Sequence, residues 1–246
     1  MESPPPSEKA KPPLSTTKVW RACVKRFRKR ARAPGHKNAR PLWEEAMEQV
    51  SEGLLSEPPP LSVNGDLPHF SLGTTNVAFR FGVTQGAKLR ACDDLRNNLV
   101  NLRTAVLTPI TLPTWGRLAQ IAKFVSPSSK NWHFLKGDHA SAYKQLPLGP
   151  QYANLTIVAL RNPDTGLWMG FIPKVLLFGE VSAVIHYNCF PRCLAVLINE
   201  MLGIPMLSYF GDYGDFPTET VSREALSTFD LASGSLGMKC KIINIR

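Results

Sequence analysis

The feature that most limits how this chain can fold is the uneven placement of its charge. Residues 1–40 hold 12 Lys/Arg against 2 acids, and residues 41–246 hold 17 against 17, so the formal net charge of +10 belongs to the first forty residues and the remainder is neutral. A segment so charged repels itself and has little to bury. The rest, in a chain that is 43% hydrophobic, is long enough to enclose one sizeable core. The arm, more than the body, is expected to supply any nonspecific attraction to polyanions.

Within the arm, residues 1–16 carry five prolines among Ser and Lys, a composition that favours an extended, solvated chain. From Thr17 to Ala33 eight basic residues, Lys25, Arg26, Arg28, Lys29, Arg30 and Arg32 among them, interleave with Val19, Trp20, Cys23, Val24 and Phe27 at three-to-four spacing. That pattern gives a narrow apolar stripe on a helix otherwise covered by cations, suited to nucleic-acid contact or nuclear targeting. The bland alternative is a solvated arm with no dedicated partner. The organisation expected is a disordered basic Pro-rich arm over 1–40, a second region over 41–130 and a third over 131–246.

Five scattered cysteines do not form a stapled secreted framework, and no N-terminal apolar run suits a signal peptide, so an intracellular setting, nucleus or cytoplasm, is expected. The longest apolar stretch, Val175 to Ile185, is broken by Gly179 and Glu180 and falls short of the roughly 20 residues of a span, so no membrane helix is expected.

Along the body, Pro41 opens a helical pattern with Trp43, Ala46, Met47, Val50 and Leu54 on one face, which Pro58, Pro59 and Pro60 stop. Val77–Val83 and Lys88–Cys92 flank Thr84-Gln85-Gly86-Ala87 as a hairpin. Thr114 suits an N-cap for a helix with Trp115, Leu118, Ile121 and Val125 inward. Strands are expected at 132–137, 154–160 and 167–172, then a helix over 180–202 that Pro191 kinks or divides, a strand-turn-strand across Tyr209–Phe216, and a last helix over about 219–232. Strands and helices without regular βαβ alternation predict an α+β fold with a mainly antiparallel sheet packed on helices.

Five segments, in order, resemble the reverse transcriptases of retroelements. Lys88-Leu89-Arg90-Ala91-Cys92-Asp93-Asp94-Leu95-Arg96-Asn97-Asn98-Leu99-Val100-Asn101 looks like the fingers signature of that family. Phe134-Leu135-Lys136-Gly137-Asp138-His139-Ala140-Ser141-Ala142-Tyr143 is similar to its first palm motif, an Asp followed five residues later by an aromatic. Leu176-Leu177-Phe178-Gly179 resembles its template-and-nucleotide motif, with Phe178 closer to the tyrosine-recombinase retrotransposon type than to retroviral members, which carry Gln there. Tyr209-Phe210-Gly211-Asp212 stands where an aromatic, any residue and two aspartates belong, so Gly211 replaces the first aspartate. Leu236-Gly237-Met238-Lys239-Cys240-Lys241 resembles the start of the fourth palm motif, and the likeness spans about 42–246 as fingers and palm with no thumb.

The resemblance implies an RNA-directed DNA polymerase using two-metal phosphoryl transfer, with Mg2+ as the ion and deoxynucleoside triphosphates and an RNA or DNA template with primer as partners. It implies Asp138 and Asp212 as metal-site carboxylates, Arg90 as the triphosphate contact, Tyr143 as the sugar selector and Gly179 at the nucleotide pocket. Such chemistry needs carboxylates at strand ends to hold two divalent ions about 4 Å apart, so Gly211 implies impaired catalysis. Asp215 is a poor substitute, because a two-residue turn at 211–212 sets it opposite Ser208, roughly 7 Å from the tip.

The competing reading is a noncatalytic nucleic-acid-binding remnant that acts through its basic arm. His186, Cys189 and Cys193 fall on one helical face and could present three zinc ligands, although buried cysteines are the plainer explanation. Asp93-Asp94 beside Arg96 reads either as an acidic pair or as salt bridges that brace the fingers.

Overall fold

The computed structural model describes residues 16–31, 38–61, 76–97, 101, 110–125, 134–152, 156–204, 206–215 and 219–245. Helices α1 (Thr16–Ala31) and α2 (Ala39–Ser51) precede strands β1 (Asn76–Gln85) and β2 (Lys88–Asp93). Then come α3 (Trp115–Val125), β3 (Phe134–His139), a 3-10 turn at Ala142–Gln145, β4 (Thr156–Arg161), β5 (Trp168–Phe171) and α4 (Val181–Leu202). β6 (Leu207–Tyr209), β7 (Asp212–Asp215), α5 (Glu219–Ser235) and β8 (Cys240–Ile245) complete an α+β chain whose strand pairings are mainly antiparallel. The chain divides into two compact units with boundaries other than 41–130 and 131–246. The first is 1–108 with 146–183, and the second is 109–145 with 184–246.

The first unit holds a sheet ordered β2-β1-β4-β5. The hairpin forms as its turn chemistry predicts, with Gln85 facing Lys88 across Gly86 at φ +59°. The parallel pairing of β1 with β4 was not expected; it joins segments some 80 residues apart, which no local pattern announces. Its core packs Leu42 and Ala46 of α2 with Leu55, Ala78, Leu95, Val158, Leu160, Phe171 and Leu177, and Trp43, Met47 and Val50 close the edge.

α2 ends well before the three prolines. Gly53 takes φ +75°, its N–H donates to the Val50 carbonyl, and the Leu54 N–H donates to the Gln49 carbonyl. These paired bonds satisfy the terminal carbonyls and stop the helix, so the prolines are left to run beside β5, where the Gly170 N–H donates to the Pro59 carbonyl.

The basic segment is a docked helix over 16–31 and not a free arm. Phe27 is 1% exposed, stacked at 5.8 Å on Phe79 and edge-on to Trp168, and the Arg30 guanidinium lies 5.3 Å above the Phe79 ring. The positions of residues 1–15 and 32–37, and the side chains of Val19, Trp20 and Cys23, lie outside the described residues.

The second unit is a wholly antiparallel sheet ordered β6-β7-β3-β8. Leu194 and Ile198 of α4, Met206, Tyr213 and Phe229 of α5 form its core. α4 runs through Pro191 without dividing: Tyr187, Pro191, Leu194 and Ile198 are all buried, and that packed face holds the turn whose amide the proline lacks. α4 also contains a stretch, Val181–Glu200, long and apolar enough by length and composition to cross a membrane, contrary to the expectation from the sequence; core helices pass the same test. The last helix matches its expected span. β8 had no expected counterpart; the adjacent Ile242 and Ile243 break the alternation that would mark a strand.

Candidate active site

The second unit's sheet turns one face to its helices. On β3, Gly137 and His139 point to the helices, and Lys136 and Asp138 therefore point the other way. Gly137 allows this layer to close, since a β-carbon there would lie 2.7 Å from the Phe229 ring. Asp138 faces Asp212 on β7 and Lys241 on β8, which puts the three in one cross-strand row. The Lys136 ammonium pairs diagonally with the Asp212 carboxylate at 3.0 Å.

Partial burial, then the nearby Asp212 charge, raises the Asp138 carboxyl above its ordinary value, and Lys136 and Lys241 pull it back down. Two carboxylates held this close repel each other, and a divalent cation relieves that repulsion. They are hard oxygen donors of the kind Mg2+ takes. The fit is to one ion: Gly211 brings no side chain, its carbonyl already accepts from the His139 N–H at 2.9 Å, and Lys136 competes for Asp212. Among the described residues no cluster of three or more His, Cys, Asp or Glu could hold a metal.

The hairpin turn is Phe210-Gly211, with Tyr209 facing Asp212, so it sits one residue earlier than expected. Phe210 takes φ +53°, the left-handed region that suits a tight turn. The shift moves Asp215 opposite Leu135 while Asp212 is opposite Asp138, three residues along the strand, or about 10 Å away. Asp215 thus stands outside the cross-strand row of Asp138 and Asp212.

Behind the carboxylates lies a buried polar relay that no sequence pattern pointed to. His139 is 2% exposed, with its Nδ1 2.6 Å from the Tyr187 hydroxyl and its Nε2 3.1 Å from the Tyr213 hydroxyl. Burial lowers its pKa to about 4, so the ring is neutral and must donate to one phenol and accept from the other. Burial likewise raises both tyrosines. A histidine at the end of its strand, between Asp138 and Ala140, gave no signal of this; its partners come from α4 and β7, 48 and 74 residues away.

Other expected residues are placed less simply. Ser141 and Ala142 take positive φ after β3, and Tyr143 then packs on Tyr187 at 4.7 Å with 8% exposure, a buried ring and not an open platform for a sugar. Arg90, exposed on β2, and Gly179 both belong to the first unit, whereas the carboxylates belong to the second. Gly179 has φ +92°, and among the described residues no atom comes within 4 Å of where a β-carbon would stand. Asn101 braces that turn, donating to the Gly179 carbonyl and accepting from the Val181 N–H, both at 3.0 Å.

On α1, Lys25, Arg28, Lys29 and Arg30 are exposed, Arg26 is half-buried with one guanidinium nitrogen lacking a hydrogen bond, and Arg32 lies outside the described residues. His186, Cys189 and Cys193 are exposed on α4 and form no metal cluster. Asp93 accepts two hydrogen bonds from the buried Arg80, at 2.9 and 3.1 Å, and Asp94 accepts from the Asn97 N–H, so this pair braces the first unit. Compared with protein-family models and with curated proteins, the chain matches none.

Proposed function

We propose that the chain is a reverse-transcriptase-like fingers and palm, an RNA-directed DNA polymerase domain of a retroelement whose phosphoryl-transfer chemistry is impaired. The observation that carries the reading is the row of Asp138 and Asp212 on neighbouring strands beside a hairpin tip, with the Asp138 carboxyl raised by partial burial and then by its partner. Asp138 and Asp212 would hold Mg2+, which when bound polarises phosphate oxygens and lowers the pKa of an attacking hydroxyl. Lys136 and Lys241 flank the pair and suit an anionic substrate. Arg90 is exposed as a triphosphate contact must be, and Gly179 leaves room for a base pair. Tyr143 would act as sugar selector only after leaving its buried seat. The partners in this reading are a primer on an RNA or DNA template and deoxynucleoside triphosphates, inside the cell.

With one carboxylate fewer than such a site uses, a loss of about 4 kcal/mol in transition-state stabilisation lowers the rate roughly a thousandfold. The test is primer extension by the full chain with Mg2+. Slow extension abolished by Asp138→Ala supports the reading, and extension unaffected by Asp138→Ala overturns it.

A second reading, a noncatalytic nucleic-acid-binding protein acting through α1, is favoured by the outward basic face that Phe27 holds in place. Template binding with no extension at any enzyme concentration, unchanged in Asp138→Ala, selects it.

A further inference from the structure

Gly211 does not have a positive φ, so its backbone alone does not require glycine. What requires it is one atom. A β-carbon at 211 would lie 2.7 Å from the Tyr187 hydroxyl oxygen, closer than real β-carbons approach any atom, but 3.6 Å from Tyr187 Cζ and 3.6 Å from His139 Cβ, which are ordinary separations. The obstruction is therefore the phenolic oxygen and not the ring.

That oxygen cannot easily move. Tyr187 is fully buried, its hydroxyl is 2.6 Å from His139 Nδ1, and its ring packs on Tyr143. His139 is held in turn by the Tyr213 hydroxyl on its other nitrogen and by its own N–H, which donates to the Gly211 carbonyl. The His139 side also lies on the helix face of the sheet, opposite Asp138, so a side chain at 211 would start out toward this relay.

We infer that Tyr187 is a positioning residue that seals the hairpin tip: held by His139 and Tyr213, its hydroxyl occupies the volume of any β-substituent at 211. No side chain fits at 211 unless that hydroxyl leaves, and the tip that carries Asp212 is held closed by it. Its functional consequence, though not the packing itself, rests on reading Asp138 and Asp212 as a metal-site pair.

A double-mutant cycle tests the seal by thermal unfolding of the full chain with Gly211→Ala, Tyr187→Phe and both. Gly211→Ala is expected to lower Tm by about 4 °C or more. Tyr187→Phe also lowers Tm, since it removes a partner of His139, but adding Gly211→Ala to it costs nothing further. Should Gly211→Ala alone fail to fold, recovery of soluble folded protein in the double variant reads the same coupling. Additive losses, or no loss from Gly211→Ala, overturn the inference. Mg2+ titration of the natural chain and of Asp138→Ala separates the two readings. A coupled cycle with binding at least tenfold weaker in Asp138→Ala supports both, whereas a coupled cycle with Mg2+ binding unchanged in Asp138→Ala keeps the seal and removes the metal-site reading.

Discussion

At the residue scale, His139 is the group whose chemistry the fold changes most. Its ring titrates near 4 in the folded chain against about 6.5 unfolded, so the unfolded state binds the proton more readily. The stability it contributes is complete above about pH 6.5 and is lost as pH falls toward about 4, by about 3 kcal/mol. Asp138, raised in the fold, works in the opposite sense as it protonates. The measurement is therefore a comparison: Tm between pH 7.5 and 4 should fall more steeply for the natural chain than for His139→Gln. Gly211 makes a second point at this scale. Gly211→Asp by itself should not raise extension, because the new side chain meets the Tyr187 hydroxyl on the helix face of the sheet, opposite Asp138.

At the scale of elements, α1 is the part whose role changes most on seeing what it touches. Its composition reads as a solvated arm, yet Phe27 anchors it between Phe79 and Trp168 on the sheet of the first unit. Phe27→Ala should cost about 3–5 kcal/mol, as buried aromatic truncations do, seen as a lower urea midpoint with unchanged slope. Removing the helix outright would expose Phe79 and Trp168, so its contribution to binding is better read from charge changes on its outer face. α2 behaved more simply. Its face was legible because apolar residues recur at helical spacing, although its end followed the left-handed Gly53 and not the prolines downstream.

At the scale of the whole molecule, the split of charge into a basic first forty residues and a neutral remainder predicts where salt dependence arises. Lys25→Glu with Lys29→Glu, both exposed on α1, should weaken binding to a nucleic-acid duplex and flatten the dependence of log affinity on log salt by about 0.9 for each phosphate no longer neutralised. Titration of a labelled duplex at two salt concentrations reads both effects. An unchanged slope would place the electrostatic surface elsewhere on the chain.

The sequence by itself determined the elements whose signals are local: the hairpin at Gly86, the helices with periodic apolar faces, the antiparallel strands around Asp138 and Asp212, and the absence of an aspartate at 211. Propensity, periodicity and turn chemistry act over a few residues and survive reading in one dimension. Only the tertiary structure decided the parallel β1–β4 pairing, the burial of Phe27 and of Tyr143, and the relay from Tyr187 through His139 to Tyr213. Each joins residues far apart in the chain, where the energy lies in excluding water and in satisfying a buried polar atom with one particular partner. No local pattern encodes that choice. Gly211 shows the difference within one position: its identity was plain from the sequence, but the atom that requires it, the Tyr187 hydroxyl, belongs to a helix 24 residues earlier.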